Sequence, residues 1–125
     1  ECTVALITTA AQYRPDKGDQ GPHAPYNNDA KFGDVYHLPV EPPPDLRISH
    51  IAYDRANTVP EDINAYFPLA QMKELVRQGS IGSLPPRFYA APTLRSQRHT
   101  TEIDVPAVLE WCKEDRVDAA VLVAV

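Results

Sequence analysis

The segment from Asp45 to Pro92 reads DLRISHIAYDRANTVPEDINAYFPLAQMKELVRQGSIGSLPPRFYAAP and combines two strand-like segments, a polar cluster and an amphipathic helix. Its first segment, Leu46 to Ser49, has the apolar pattern of a short strand. Polar residues that could carry chemistry follow directly: His50, Tyr53 and Asp54. Because α/β proteins place their sites at strand ends, we predict His50 and Asp54 as catalytic residues and Tyr53 as a substrate contact.

An amphipathic helix follows this polar cluster. Its apolar face carries Leu69, Met72, Leu75 and Val76. Pro68 suits the first turn of that helix, and Gly79 is of the residue type that ends helices. Ahead of the helix, Asn64 is predicted to bond backbone groups at the helix entry and to contact substrate, and Phe67 to be a buried anchor.

Other segments of the chain also have the composition of strands: Thr3 to Thr8, Arg87 to Ala91 and Ala119 to Val125. Together with Leu46 to Ser49, they predict an α/β three-layer domain with a mainly parallel sheet of about four strands. The carboxyl ends of parallel strands share one edge, so Thr8, Thr9 and Thr93 would converge there with the polar cluster. Thr8 and Thr9 are predicted substrate contacts, and strand-end hydrogen bonding to the backbone is the alternative.

A second amphipathic helix precedes the last strand. Asp104 is predicted as its N-cap, and its apolar stripe holds Val105, Val108, Leu109 and Cys112. Cys112 is therefore predicted to be buried and structural. The connection before this helix, from Pro92 to Thr101, contains side chains that could bind a carboxylate or belong to a solvated loop: Arg95, Arg98 and His99.

Gln12 to Pro44 is a long polar segment rich in turn-forming residues. A loop of this length in a compact domain is either a functional cover or disordered. Its aromatic residues favour a partly packed cover over the site: Tyr13, Tyr26, Phe32 and Tyr36. Val35 to Leu38 could form a short strand within it.

Composition narrows the class of protein. The formal net charge of -5 and the pI near 5.2 argue against nucleic-acid binding, which needs a basic surface. No apolar run reaches the roughly 18 to 20 residues that span a bilayer, so we expect a soluble, cytoplasmic protein without a membrane partner. The 2 cysteines match neither a disulfide framework nor a metal-ligand spacing, so no metal site is predicted.

The order of short motifs along the chain resembles one family. SHxxYD, NxxFP, ELxxxG and IGSLxPR occur in this order. The set is similar to the selenoprotein B family of the glycine, sarcosine, betaine and D-proline reductases, nearest to the D-proline reductase branch. The matching residues are Ser49, His50, Tyr53, Asp54, Asn64, Phe67, Pro68, Glu74, Leu75, Gly79, Ile81, Gly82, Ser83 and Leu84.

The resemblance extends to the first strand, Ala5 to Ala10, and to the last, Val117 to Val125, and so spans most of the chain. It departs from the family in the loop after the first strand, where TAGVH is replaced by TAAQY. Ala11 stands for a glycine and Tyr13 for a histidine, so the substrate or the chemistry could have moved with them.

The resemblance implies a Rossmann-like or flavodoxin-like fold, with residues 1–125 forming a single domain or the amino-terminal part of one. In the family a selenocysteine or cysteine, the redox residue, follows the strand that Val117 to Val125 matches, and partner proteins can carry a pyruvoyl group. We therefore expect this chain to bind no cofactor itself, and a missing segment or a partner chain to supply the redox residue. A second polypeptide would complete both the sheet and the site.

These expectations predict a subunit or fragment of a reductase-like enzyme that acts on a C–N bond of a small amino-acid-like or other nitrogen-containing substrate. Two alternatives remain open. One is a non-redox α/β enzyme of the racemase, lyase or hydrolase type, in which His50 and Asp54 transfer protons. The other is a non-catalytic partner subunit.

Overall fold

The structure, a computed structural model, describes residues 2–12, 33–48, 54, 56–92 and 96–124. Its strands are β1 (Val4–Thr8), β2 (Ala11–Gln12), β3 (Tyr36–Pro39), β4 (Leu46–Arg47), β5 (Arg87–Ala90) and β6 (Ala119–Val123). Its helices are α1 (Leu69–Arg77), α2 (Gln97–His99) and α3 (Val105–Glu114). A 3₁₀ turn at Ile63–Ala65 precedes α1, and a π-helical stretch at Thr100–Asp104 joins α2 to α3.

The main sheet has four strands in the order β3-β5-β1-β6. β1 lies between β5 and β6 and pairs with both in parallel, whereas β3 pairs with β5 in the antiparallel direction. The predicted mixed α/β chain with a mostly parallel sheet is therefore confirmed. The strands predicted at Thr3 to Thr8, Arg87 to Ala91 and Ala119 to Val125 all belong to this sheet.

The strand predicted at Leu46 to Ser49 is the exception. It forms β4, which lies outside the main sheet and pairs antiparallel with β2. The fourth place in the sheet is taken by β3, close to the short strand expected at Val35 to Leu38. β3 alternates half-buried Tyr36 and Leu38 with exposed neighbours, a pattern that suits an antiparallel edge. The prediction that His50, Tyr53 and Asp54 follow a strand of the main sheet is therefore wrong.

The hydrophobic core lies on the face of the sheet that α1 covers. Leu6 and Phe88 project from the sheet into this core, and Leu46 enters it from β4. Phe67, in the corner before α1, is 2% exposed, and its ring centroid lies 4.6 Å from that of Phe88. The predicted anchor role of Phe67 is confirmed, and burial of side chains of this size supplies most of the stability of a small domain.

Helix α1 begins and ends close to the predicted residues. Pro68 occupies its N-cap position, and Leu69 and Met72 are buried. Gly79 lies just beyond the C-cap with a φ of 74°, a left-handed conformation that glycine adopts without steric cost. Leu75, predicted on the apolar face, is 37% exposed and lies at its border.

The second helical region begins earlier than predicted. Helical structure is already present at Gln97, and Ser96 caps it by accepting a hydrogen bond from the His99 amide at 3.2 Å. Asp104, predicted as an N-cap, lies inside the helical region and makes no side-chain capping bond. The prediction was wrong because the run of α2, π-helical stretch and α3 is continuous, so the backbone amides near Asp104 already have helical partners.

Strand β6 forms one edge of the main sheet. Val121 is 40% exposed and Leu122 is 65% exposed, although both have the composition of buried strand residues. Helix α3 runs on the same side of the molecule as Leu122, and its apolar stripe is also open, with Val105 54% and Leu109 49% exposed. β6 and α3 therefore carry apolar side chains that the described residues leave exposed.

Candidate functional site

Thr8 and Thr9 lie at the carboxyl end of β1. Thr8 is fully buried, and its hydroxyl donates to the Tyr66 carbonyl oxygen at 2.6 Å and accepts from the Ala10 amide at 3.0 Å. The Thr9 amide donates to the Val123 carbonyl oxygen at 3.2 Å. The Thr8 hydroxyl thus ties the end of β1 to the corner before α1. Substrate contact by Thr8 and Thr9 stays a prediction.

Asp54 stands in an exposed turn. Its carboxylate accepts hydrogen bonds from the Asn57 side-chain amide at 2.8 Å and from the backbone amides of Ala56 and Asn57 at 2.9 and 3.2 Å. The Asn57 side chain, followed by the Ala56 amide, holds the pKa of this carboxyl below its usual range. Asp54 is therefore built to remain a carboxylate, which can orient a neighbour or accept a hydrogen bond but is a poor proton donor.

Asn64 belongs to the 3₁₀ turn before α1. Its backbone amide donates to the Asp62 carboxylate at 3.0 Å, so Asp62, and not the predicted Asn64 side chain, caps this turn. Its side chain lines a cavity of about 190 Å³ together with Phe67 and Lys73. The Asn64 side-chain oxygen is buried there without a hydrogen-bond partner among the described residues. Since Thr8 bonds Tyr66, Thr8 and Asn64 are brought to the same corner of the fold.

Other predicted site residues lie outside the described part of the chain: His50, Tyr53 and Thr93. Their assignments stay predictions. The contacts of the Asp54 carboxylate given above all fall within its own turn, so they do not draw it toward Thr8 or Asn64. The structure thus places part of the predicted set at one corner and does not unite the whole set.

A histidine–aspartate pair was missed by the sequence analysis. The His99 Nε2 atom lies 3.2 Å from a carboxylate oxygen of Asp104, whose side chain is only 7% exposed. The two residues are five positions apart and are separated by the π-helical stretch. A π-helix bonds each residue to the fifth one along and recurs at functional sites. Spacing that fits an α-helix would place these two side chains on different faces, so periodicity could not have found them.

A cavity of about 310 Å³ adjoins this pair. Its walls are almost entirely apolar and are formed by Ile7 of β1, Leu122 of β6 and the inner stripe of α3, with Thr100 and Asp104 at the margin. Ile7, Leu122 and Ala91 all lie near the carboxyl ends of parallel strands. This is the edge where open α/β sheets bind ligands. Cys112 also lines the cavity, and burial raises the pKa of its thiol.

A second polar cluster lies at the opposite end of β5. Arg87, the first residue of that strand, places its guanidinium 2.6 Å from Asp115 and 2.6 Å from Glu114. The Tyr89 hydroxyl donates to Asp115 at 2.6 Å. Burial acts to raise the pKa of Asp115, but the bonds from Arg87 and Tyr89 outweigh it and hold that pKa below its usual range. Because these charged and polar groups satisfy one another, we interpret the cluster as structural.

Within the described ranges, no group of three or more His, Cys, Asp or Glu side chains is placed to hold a metal ion. None of the helices in the part of the chain that the structure covers is both long enough and apolar enough to cross a bilayer. Searches of protein families, curated proteins and solved structures find no match to this chain.

Proposed function

We propose that this chain is part of a reductase-like enzyme related to the D-proline and glycine reductases, acting on a C–N bond of a small amino-acid-like or other nitrogen-containing substrate. The ordered motifs from Ser49 to Leu84 support the relationship. We further propose that the complete domain is three-layered and Rossmann-like or flavodoxin-like, and that the protein is cytoplasmic. Two packing contacts support the layered arrangement, because Leu69 of α1 packs on one face of the sheet and Trp111 of α3 stacks with Tyr89 on the other.

The observation that carries the proposal is the open apolar edge at β6. Parallel strands are normally covered on both faces, and natural edge strands are shortened, charged or covered. β6 reads AAVLV, pairs only with β1 among the described strands, and exposes Val121 and Leu122. A second polypeptide that pairs with β6 would satisfy its free backbone groups and bury these side chains. In our proposal the same polypeptide completes the catalytic site.

The redox residue is proposed to come from that polypeptide. Reductive cleavage of a C–N bond takes up two electrons and two protons, which a dithiol supplies as it becomes a disulfide. The cysteines of this chain are poorly suited to that step. Cys2 lies at the amino end of β1, remote from the carboxyl edge, and burial raises the pKa of Cys112, which lowers its thiolate fraction. A cysteine or selenocysteine on the completing polypeptide is the proposed redox group, and a pyruvoyl group on a partner chain is the alternative.

His50 is the proposed acid–base residue of this chain, because an imidazole exchanges protons near neutral pH. Tyr53 and Asp54 follow it closely in sequence. The hydrogen bonds that lower the pKa of the Asp54 carboxyl favour an orienting role over a proton-donating one.

The test is an assay of the native assembly that contains this chain. Purified assembly is incubated with dithiothreitol and a panel of cyclic and acyclic amino acids, and substrate-dependent loss of thiol is measured together with the ring-opened or deaminated product. We expect thiol loss in step with product, and none from residues 1–125 alone. Turnover without a thiol reductant would support the non-redox enzyme instead, and no turnover by an intact assembly would support a non-catalytic subunit.

A further inference from the structure

His37 of the edge strand β3 contacts both β5 and α3. Its ring nitrogen Nε2 lies 3.1 Å from Nη1 of Arg87, the first residue of β5. The centroid of its ring lies 4.8 Å from that of Trp111 on α3, in an edge-to-face arrangement. The imidazole therefore lies where three elements meet, although His37 is exposed to solvent.

The partner of this imidazole fixes its protonation. A guanidinium carries hydrogen-bond donors only and does not lose its proton in proteins. Nε2 of His37 must therefore accept the hydrogen bond that Arg87 donates. The ring in this contact is neutral and carries its proton on Nδ1, because the hydrogen bond at one ring nitrogen decides where the proton sits.

The charged groups around the ring make its neutral form dependent on pH. Arg87 and the Tyr89 hydroxyl lie on β5, and the carboxylates of Glu114 and Asp115 lie at the end of α3. A proton on Nε2 of His37 would remove the acceptor and place a second cation beside the guanidinium. Two carboxylates against one guanidinium also leave an excess negative charge, which an imidazolium would balance.

Glu114 is the carboxylate that can change partner. Its side chain is 63% exposed, and it binds Nη2 of Arg87 at 2.6 Å, next to the Nη1 atom that binds His37. Asp115 is 12% exposed and is held at 2.6 Å by both Arg87 and the Tyr89 hydroxyl. An imidazolium can therefore take Glu114 by rotation of exposed side chains, while Arg87 keeps Asp115.

We propose that His37 is a proton-dependent latch between β3, β5 and α3. The neutral ring accepts a hydrogen bond from Arg87, and the protonated ring releases Arg87 and donates to the Glu114 carboxylate. Imidazoles change charge between about pH 5 and pH 8, so the exchange belongs to the physiological range. The latch is independent of the proposed reductase activity, because it uses none of the residues proposed to carry that activity.

NMR of the full chain tests the neutral form of the latch. Correlation spectra of the ¹⁵N-labelled ring show which nitrogen of His37 carries the proton, and through-space contacts with Trp111, the single tryptophan, identify the ring. At pH 8 we expect the proton on Nδ1 and an unprotonated Nε2. A neutral ring with its proton on Nε2 cannot accept from Arg87 and overturns the proposal.

A pair of variants tests the protonated form. Glu114→Gln removes the acceptor of the imidazolium, so the pH at which His37 is half protonated should fall by roughly 0.2 to 0.7 pH unit, the range that an exposed ion pair gives. Glu110→Gln is the matched control, because it removes an equally exposed carboxylate of α3 that pairs with Lys113 instead. That control should leave the midpoint unchanged. Equal midpoints in the parent and Glu114→Gln, or equal shifts in the two variants, overturn the exchange.

Discussion

The two edges of the main sheet differ in how they are finished. At the β3 edge, Tyr36 and Leu38 pack against the core, and the His37 ring lies 4.8 Å from that of Trp111. Pro39 ends this strand without an amide to offer to another chain. At the β6 edge, Val121 and Leu122 are exposed and no charge or proline interrupts the strand. β3 is built as an outer edge, and β6 has the composition of an inner strand.

The same contrast extends to the helices. We call β3, β5 and α1 the closed half, because their apolar side chains form the buried core. We call β6 and α3 the open half, because their apolar stripes remain exposed. The difference indicates that stability resides in the closed half, while the open half leaves apolar side chains exposed where we propose that a partner binds.

The largest expected effect concerns catalysis. His50→Gln in the native assembly should lower turnover by roughly 10²- to 10⁴-fold, as loss of a general acid or base does. Arg77→Gln, which changes a side chain of α1 that is 73% exposed, is the control and should leave turnover unchanged. Steady-state rates with each variant make the comparison, and full activity of His50→Gln removes His50 from the proposed site.

The stability of the closed half should depend strongly on its large buried side chains. Phe67→Ala removes a ring that is 2% exposed, and we expect the free energy of unfolding to fall by roughly 3 to 5 kcal/mol. Urea denaturation followed by circular dichroism measures the loss. A variant that unfolds at the same urea concentration as the parent would show that the core does not depend on this corner.

The Arg87 cluster gives a prediction with a pH signature. Asp115→Asn breaks a largely buried pair, so the free energy of unfolding at pH 7 should fall by about 1 to 3 kcal/mol. The folded pKa of Asp115 lies below its unfolded value, so its stabilisation is complete above the unfolded pKa, roughly 3.9, and is lost as pH falls through the folded pKa. The difference in the free energy of unfolding between the parent and Asp115→Asn should therefore become smaller below about pH 4. A difference that stays constant between pH 7 and pH 2.5 contradicts the assigned ion pair.

The stability of the open half should change little when one of its exposed apolar side chains is shortened. Leu122→Ala changes a side chain that is 65% exposed, so the free energy of unfolding of the isolated chain should change by less than about 0.5 kcal/mol. Urea denaturation alongside Phe67→Ala provides the direct contrast. A loss above about 2 kcal/mol would mean that Leu122 is already buried in the isolated chain, and the distinction between the halves would disappear.

The sequence predicted those elements whose signal is local. Apolar runs located β1, β5 and β6, and helical periodicity with Gly79 located α1. The sheet assignment of β4 failed because a strand of two residues has the same pattern whether it joins a sheet or a separate pair. Its partner, β2, lies far away in sequence, so pairing depends on tertiary packing that local pattern does not contain.

The candidate site shows the same limit. Asp104 was interpreted as a helix start because aspartate is a good N-cap, but Ser96 was the better signal, since helical structure follows it directly. The π-helical stretch that joins His99 to Asp104 has no pattern of its own in the sequence. The roles of Thr8 and Asn64 in substrate binding stay predictions, and the bond from Thr8 to the Tyr66 carbonyl could be found only in the structure.

The central claim is that β6 is an inner strand that pairs with a further polypeptide. Native mass spectrometry of the protein, isolated under gentle conditions from its natural source, tests this most directly. We predict a particle heavier than the 13.9 kDa of this chain, in which the extra mass is lost when Leu122→Glu places a charge on the strand. A well-folded particle of 13.9 kDa, with no further polypeptide attached, would contradict both the completed sheet and the reductase assignment.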